Sequence, residues 1–233
     1  MRADLAVALV LGISRNKASE LIKLGKIYIN DRILDKPSLE VDESADIKAL
    51  DTIYVSRAAL KLKGFLDEIK FDPFGLNALD IGSSTGGFVQ VLLENGVKSV
   101  TALDVGSDQL DSTLRNDARV IVRENTDIRD FKEGKFDLVT IDVSFISVLL
   151  ILKDIDRLAK RDIILLHKPQ FEVGKDVKRN SRGVVKDKKQ ILLSQKYFQS
   201  ACSELGWECL AKKECVITGK EGNLESFYHY RKK

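Results

Sequence analysis

The chain has few of the features that mark a protein for export, a membrane or a metal. It holds three cysteines and two histidines in 233 residues. Cys202, Cys209 and Cys215 form no C-x-x-C pair, and His167 and His229 stand apart from them. An odd set of unclustered thiols excludes a disulfide framework and a regularly spaced zinc site, and it fits a reducing compartment. Prolines also number three, and no low-complexity tract is present. The longest apolar run, "VSFISVLLIL" at 143–152, is about half of what a bilayer-spanning helix needs. The leading "MRADLAVALVLG" carries Asp4 and lacks an A-x-A-like cleavage site, which makes it a poor export signal. A net charge of +3 names no partner unless the basic residues cluster. These absences predict a metal-free, cytoplasmic globular protein.

What is present is core material, with 44% hydrophobic and 31% charged residues, enough for a sizeable folded interior. The pattern changes near residue 50. Before it, "RADLAVALVLG" and "SRNKASELIKLG" predict two short helices, with Ser14 as an N-cap and Gly12 and Gly25 as stops. "KIYIN" predicts a brief strand, Asn30-Asp31 a turn, and further β pieces follow to about Ile47. This reads as a small α+β domain over 1–50, a linker over 51–55 and a larger domain over 56–233.

In the larger part, "SRAALKLKGFLDEI" predicts a helix. The segments "NALDIG", "SVTALDVG", "RVIVREN", "FDLVTIDVS" and "DIILLHK" predict strands. Near-continuous apolar runs of this kind suit parallel strands covered on both faces. Helices are expected over "FVQVLLENG", "ISVLLILKDIDRLA" and 188–205, so the fold class is α/β with a doubly wound sheet. "WECLAKKECVITG" and "LESFYHYRK" predict two last strands that can form an antiparallel hairpin.

The motif richest in chemistry is "LDIGSSTGGF", Leu79 to Phe88. It reads as a strand, a loop of Gly82, Ser83, Ser84, Thr85, Gly86 and Gly87, and a helix opening at Phe88. A dinucleotide fingerprint needs glycine at the third loop position so that a pyrophosphate can approach, and Ser84 stands there. Asp80, two residues ahead of Gly82, is a poor neighbour for a pyrophosphate and a good one for an ammonium or sulfonium group. S-adenosylmethionine carries both. Asp104 in "TALDVG" lies about 20 residues on, where a carboxylate meets a ribose, and Asp127 ends the next strand, within reach of an adenine amine. The competing reading is an ordinary strand–helix turn ringed by surface acids.

Two further residues stand at strand ends beside this loop, Asp142 in "IDVSF" and Lys168 in "LLHKPQFE". A lysine entering a cleft from an apolar strand needs a partner or a lowered pKa, and a neutral amine is a competent base. Asp142 would orient it, although a plain salt bridge at the sheet edge uses the same residues. No Asn-Pro-Pro-Tyr loop and no suitably placed cysteine is present, so the methyl acceptor is expected to be a hydroxyl.

These residues resemble a known family. Lys61 in "SRAALKL", Asp142, Lys168 and Glu225 in "GNLESF" look like the Lys-Asp-Lys-Glu set of FtsJ-like ribose 2′-O-methyltransferases, and "SRNKASELIKLGKIYIN" resembles an S4 RNA-binding domain. In this order they resemble the TlyA family of ribosomal RNA methyltransferases, sometimes labelled haemolysins. The resemblance spans essentially the whole chain. It implies a Rossmann-like methyltransferase sheet behind an S4 domain, and transfer from S-adenosylmethionine to a cytidine 2′-hydroxyl. In that reading Lys168 is the base, Asp142 orients it, and Lys61 and Glu225 complete the site. The termini suggest the branch that acts on large-subunit RNA alone. Tyr54 stands where the family usually has a bulkier aromatic, and Ala58 and Ala59 where glycine is common. A noncatalytic ribosome-assembly factor and a pore-forming haemolysin are the rival readings.

Two basic clusters would meet RNA. Arg2, Arg15, Lys17, Lys23 and Lys26 surround the first two helices. Arg57, then Lys175, Lys178, Arg179, Arg182, Lys188 and Lys189, lie around the proposed active site. A solvated charged loop is the bland alternative for each cluster. Tyr54, Phe145 and Phe171 are read first as core residues and second as faces on which a displaced base could stack.

Overall fold

The computed structural model describes residues 1–219 and 221–233 and divides into two compact units, Met1–Ile53 and Tyr54–Lys233. In the first, α1 (Ala3–Leu11) stops at Gly12, which takes the left-handed conformation (φ 63°). Next comes α2 (Arg15–Lys23), capped by Ser14, whose Oγ accepts from the Lys17 backbone N–H at 3.2 Å. Three short strands follow, β1 (Ile27–Ile29), β2 (Arg32–Leu34) and β3 (Ile47–Ala49), in the antiparallel order β2-β1-β3. Asn30 and Asp31 both have positive φ, 47° and 61°, as a two-residue hairpin turn demands. Ala3, Val7, Ala18, Ile22, Ile27 and Leu34 form this unit's core.

Segment 51–55 is tied at both of its ends, each to its own unit. Asp51 pairs with Lys26 at 2.6 Å. Tyr54 Oη donates to Glu94 at 2.9 Å, and the Val55 N–H donates to Gln90 Oε1 at 3.0 Å.

The second unit runs α3 (Arg57–Ile69), β4 (Asn77–Ile81), α4 (Gly87–Glu94), β5 (Ser99–Leu103), α5 (Ser112–Arg115), β6 (Val120–Arg123) and β7 (Phe136–Ile141). It continues through α6 (Leu152–Leu158), β8 (Ala159–His167), α7 (Pro169–Glu172), α8 (Lys188–Glu204), β9 (Trp207–Glu214) and β10 (Ser226–Lys232). The sheet order is β6-β5-β4-β7-β8-β10-β9, with β10 antiparallel to both of its neighbours and the other pairings parallel. Strand order reverses between β4 and β7, which opens a crevice at their carboxyl ends where ligands bind in such sheets. Two apolar layers cover the faces. Leu62, Phe65, Phe88 and Phe227 lie in one, and Ile155, Phe198, Trp207, Tyr228 and Tyr230 in the other. The period-two alternation of β10 sends Phe227 and Tyr228 to opposite layers.

Two expectations shift. The helix expected over 146–159 opens as a 3₁₀ turn at Val148–Ile151 and becomes α-helical only at Leu152, and Glu172 accepts from the Ser147 hydroxyl and the Val148 N–H at its start. The strand expected at Asp162 begins at Ala159, and its first residues beyond that, Lys160 and Arg161, are exposed. Short α5 and α7 carry too few residues to show a period.

Candidate active site at the switch point

The loop after β4 is shaped by close approach. Gly82 has φ 81°, and a Cβ there would lie 3.0 Å from the Asp142 carbonyl oxygen, so glycine lets the two strand ends converge. A side chain at Gly87 would collide with Ser56 Oγ at the start of α3. Asp80, at 1% exposure, accepts from Thr140 Oγ1 at 2.6 Å on one oxygen and has no partner for Oδ2. Burial, with Asp142 and Asp104 nearby, pushes its carboxyl up to about 7. Ser56 Oγ, Ser83 Oγ and Gln170 Oε1 are likewise buried without a partner. All four of these residues line one cavity of about 730 Å³. Unpartnered buried polar atoms are scarce in folded proteins, and four around one space mark the seat of a polar ligand.

A second hollow of about 320 Å³ adjoins it and shares Gly82, Ser84, Asp142, Ser144 and Phe145. Asp104 lines it and accepts the Ser84 and Gly106 N–H groups at 2.8 and 2.7 Å. Asp127 also lines it, but both of its oxygens are taken by the Arg129 guanidinium at 2.9 and 2.6 Å. That pairing holds Asp127 down at about 2. Asp127 thus faces the hollow as one half of an ion pair, its side chain still partly exposed. Thr85 is exposed on the loop, while Gly86 and Phe88 are buried, Phe88 tilted against Phe227.

Glu124, which no sequence motif singles out, braces the loop beside this hollow, where Gln109 is a lining residue. Its carboxylate accepts the Asp108, Gln109 and Leu110 N–H groups at 2.9, 3.0 and 3.0 Å and Arg115 at 2.7 Å. These bonds hold it at about 2 and fix the loop that follows Asp104. Glu124→Gln loses the charge in every one of these bonds. It is expected to raise the Kd of a ligand bound there about tenfold, since charged hydrogen bonds contribute ~1.5–3 kcal/mol each. Titration calorimetry reads this, and an unchanged Kd would remove Glu124 from the site.

The four residues of the expected catalytic set do meet. Lys168 Nζ lies 2.7 Å from Asp142 Oδ1 and donates to Ser144 Oγ at 2.9 Å. Lys61 Nζ donates to Glu225 Oε2 at 2.7 Å, and Gln170 Nε2 donates to Glu225 Oε1 at 3.3 Å. Burial pushes Asp142 up and Lys168 draws it back. Lys168 sits at the end of β8 as the residue before Pro169, which occupies the first position of α7. A proline there suits a helix start and keeps the preceding lysine extended. Ser144 and Gln170 lie inside quoted motifs, yet nothing in their spacing distinguishes them from loop residues.

The turn after β7 has an unusual occupant. Phe145 has φ 67° and is 92% exposed, with Phe171 at 5.4 Å between ring centroids. The core role expected first for Phe145 therefore fails: a bulky residue in left-handed backbone projects into solvent between the two hollows. Such strain gathers at functional sites. Tyr54 and Phe171 are half-buried, as a packing role requires.

The basic residues divide. In the first unit Arg2 and Arg15 both pair with buried Asp4, each at 3.0 Å, and hold its carboxyl well below the usual range. Lys17 pairs with Glu20 and Lys26 with Asp51, while Lys23 is exposed without a partner among the described residues. In the second unit Arg57 and Arg182 are exposed on the cavity rim, and Lys175, Lys178, Lys188 and Lys189 are exposed nearby. Arg179 turns inward instead, donating to the carbonyls of Val177, Gly174 and Gln170 at 2.7, 2.9 and 3.0 Å. Its donors are spent on shaping the loop, so it offers a phosphate little.

Cys202 and Cys215 are buried, and burial pushes their thiols up to about 12. Among the described residues no group of three or more His, Cys, Asp or Glu is arranged to hold a metal. No described helix is long and apolar enough to cross a membrane.

Comparison with known proteins adds to this geometry. The model of the FtsJ-like methyltransferase family matches residues 54–232, and that of the S4 domain matches residues 1–47. The chain is 48% identical to the 23S rRNA (cytidine-2′-O)-methyltransferase TlyA of Campylobacter jejuni, across all of both chains. It is 39% identical to the 16S/23S rRNA (cytidine-2′-O)-methyltransferase TlyA of Mycobacterium tuberculosis, over 95% of this chain and 85% of that one. A solved Lactococcus lactis structure, provisionally called a hemolysin, superposes with a TM-score of 0.73 at 39% identity, covering 77% of this chain and 89% of that one.

Proposed function

As the chain belongs to the FtsJ-like methyltransferase family, we propose that it transfers a methyl group from S-adenosylmethionine to a cytidine ribose 2′-hydroxyl of ribosomal RNA. The substrate is 23S RNA of the large subunit, and the reaction takes place in the cytoplasm. The observation that carries the reading is the pair of ion pairs, Lys168–Asp142 and Lys61–Glu225, opening on the same cavity as the glycine loop. The full-length likeness to a relative named for 23S RNA favours the large subunit over both.

The residues present fit the cofactor. Asp80 Oδ2 is a buried acceptor without a donor, suited to an ammonium. Ser56 and Ser83 hold unpartnered hydroxyls that can donate to a carboxylate. Asp104 stands at the end of β5 for the ribose hydroxyls. When bound, the cofactor supplies an electrophilic methyl on a sulfonium, and the protein's share is to orient the acceptor and take its proton. Lys168 would take that proton as the neutral amine, after its ammonium has first lost a proton to solvent, and Asp142 and Ser144 would hold the amine in position. Lys61 and Glu225 line the same cavity as a second ion pair.

Asp80 gives the binding step a pH signature. Its carboxyl stands at about 7 without ligand, and a bound cation favours the ionised form and so lowers that value. Binding therefore releases a proton. Affinity is expected to fall about tenfold per pH unit below ~7 and to level off above it. Asp80→Asn is expected to flatten that profile, as calorimetry at several pH values would read.

Phe145 offers the exposed face against which a target base, extruded from the RNA, would stack. Phe145→Ala is expected to lower kcat/KM for RNA by about five- to 150-fold, as stacking is worth ~1–3 kcal/mol per base, with cofactor affinity unchanged. Steady-state kinetics varying each substrate separates the two.

The direct test of the function is transfer of radiolabelled methyl from S-adenosylmethionine to unmodified large and small subunits, with the label mapped to base or ribose. Ribose label on the large subunit alone is the expected result. Label on both subunits would overturn the subunit assignment, and base label or none would overturn the chemistry.

A further inference from the structure

Helix α8 (Lys188–Glu204) leaves the basic loop beyond the active site and turns an unusual face outward. Its inner face is anchored to the sheet. Phe198 and Cys202 pack beneath the sheet, and Gln195 Nε2 donates to Ser226 Oγ at 3.4 Å, next to Glu225. The outer face carries Lys188, Lys189, Leu192, Leu193, Lys196 and Tyr197, all exposed, Tyr197 at 64%. None of the three lysines has an ion-pair partner among the described residues, and no acidic residue occurs in the helix before Glu204.

This arrangement does little for the fold. Lysines in the first turn of a helix sit at the positive end of its dipole, which disfavours them. Asp187 offsets part of that by accepting the Gln190 N–H at 3.1 Å. Lys196 and Tyr197 lie two turns further on, where no carboxylate of the helix can reach them. From Lys188 to Tyr197 the stripe runs about 13 Å at the α-helical rise, long enough to lie across several phosphates of a nucleic acid. Charge complementarity selects the partner, since an acid-free run of lysines with a tyrosine hydroxyl matches a phosphate backbone.

We propose that the outer face of α8 is a second RNA-docking surface, which grips ribosomal RNA flanking the target nucleotide and extends the footprint away from the cavity. This rests on the RNA-methyltransferase reading above and adds the path that the RNA takes.

The test uses the full chain with Lys196→Ala and Tyr197→Ala, singly and together. Affinity for a fragment of ribosomal RNA containing the target is measured over a series of salt concentrations, alongside methyl transfer to intact subunits. The double variant is expected to bind RNA about five- to twentyfold more weakly. Lys196→Ala is expected to reduce the slope of log affinity against log salt by about 0.7–0.9, the value of one lost phosphate contact. Transfer at saturating RNA should stay within about twofold, because neither residue touches the reacting groups. Unchanged RNA affinity and slope would overturn the proposal. If transfer to intact subunits fell while affinity for the free fragment held, the exposed leucines would belong to a protein contact, and the RNA assignment would be overturned. The wild-type chain run in parallel separates the two levels: no transfer by it would sink the RNA-methyltransferase reading, whereas transfer with unaltered variants would sink only this surface.

Discussion

Lys168→Ala is expected to lower single-turnover methyl transfer by about 10²- to 10⁴-fold, the range that a positioned general base supplies, and to leave the cofactor Kd within about threefold. The geometry dictates this split. The Lys168 amine is bound to Asp142 and Ser144 on the neighbouring turn, whereas the unpartnered atoms that fit the cofactor belong to Ser56, Asp80 and Ser83. Removing the amine also strands Asp142, a carboxylate whose buried setting already pushes its pKa up. Part of any loss could then come from a rearranged Asp142. Lys168→Arg separates the contributions. Arginine keeps the positive partner for Asp142 but cannot be deprotonated. If Lys168 takes the proton, the arginine variant melts close to wild type and is as inactive as the alanine variant. Substantial transfer by Lys168→Arg would remove Lys168 as base and leave it an electrostatic role.

The second large effect concerns Lys61 and Glu225. Their side chains are 10% and 3% exposed, and their atoms lie 2.7 Å apart. Lys61→Met leaves Glu225 buried without its counter-charge, and breaking a buried pair from one side costs about 3–5 kcal/mol. For a unit of this size that corresponds to a fall in Tm of about 6–20 °C. The double variant Lys61→Met, Glu225→Gln contains no stranded charge and keeps the Gln170 contact to residue 225. It is expected to recover most of the lost Tm, because two uncharged groups need no mutual compensation. Transfer is expected to stay low in both variants. Thermal melts and the transfer assay read together check this. If the double variant melts as low as the single one, the pair is not self-compensating. If the double variant regains transfer, the pair is a structural brace and not part of the reaction centre.

How legible the molecule was depended on whether a feature is local. Near-continuous apolar runs announced the parallel strands, Gly12 and Gly25 announced the ends of the first two helices, and "KIYIN" with Asn30-Asp31 announced a turn that positive φ values complete. The glycine loop was readable because a tight strand–helix turn needs particular residues at particular spacings. Charge was harder to read. Asp127 and Arg179 have the residue types expected of ligand-binding groups, yet nearby partners occupy them, Arg129 for one and backbone carbonyls for the other. A sequence records that a charge exists but not which of several neighbours the folded backbone brings closest. Phe145 shows the reverse: an aromatic reads as core, and only its left-handed backbone reveals that it faces outward.

By itself the sequence determined the element types, the loop that opens at Gly82 and the list of residues from which a methyl-transfer site can be built. The tertiary structure alone decided how those residues meet. Lys61 and Glu225 are 164 positions apart, and they touch because His167 pairs with Ser226 across β8 and β10. That register brings Glu225 beside Gln170 and across from Lys61. The crevice likewise exists because β4 and β7 are neighbours while their helices leave in opposite directions. Neither fact has a local signature, since strand order and register follow from burying both faces of the whole sheet at once.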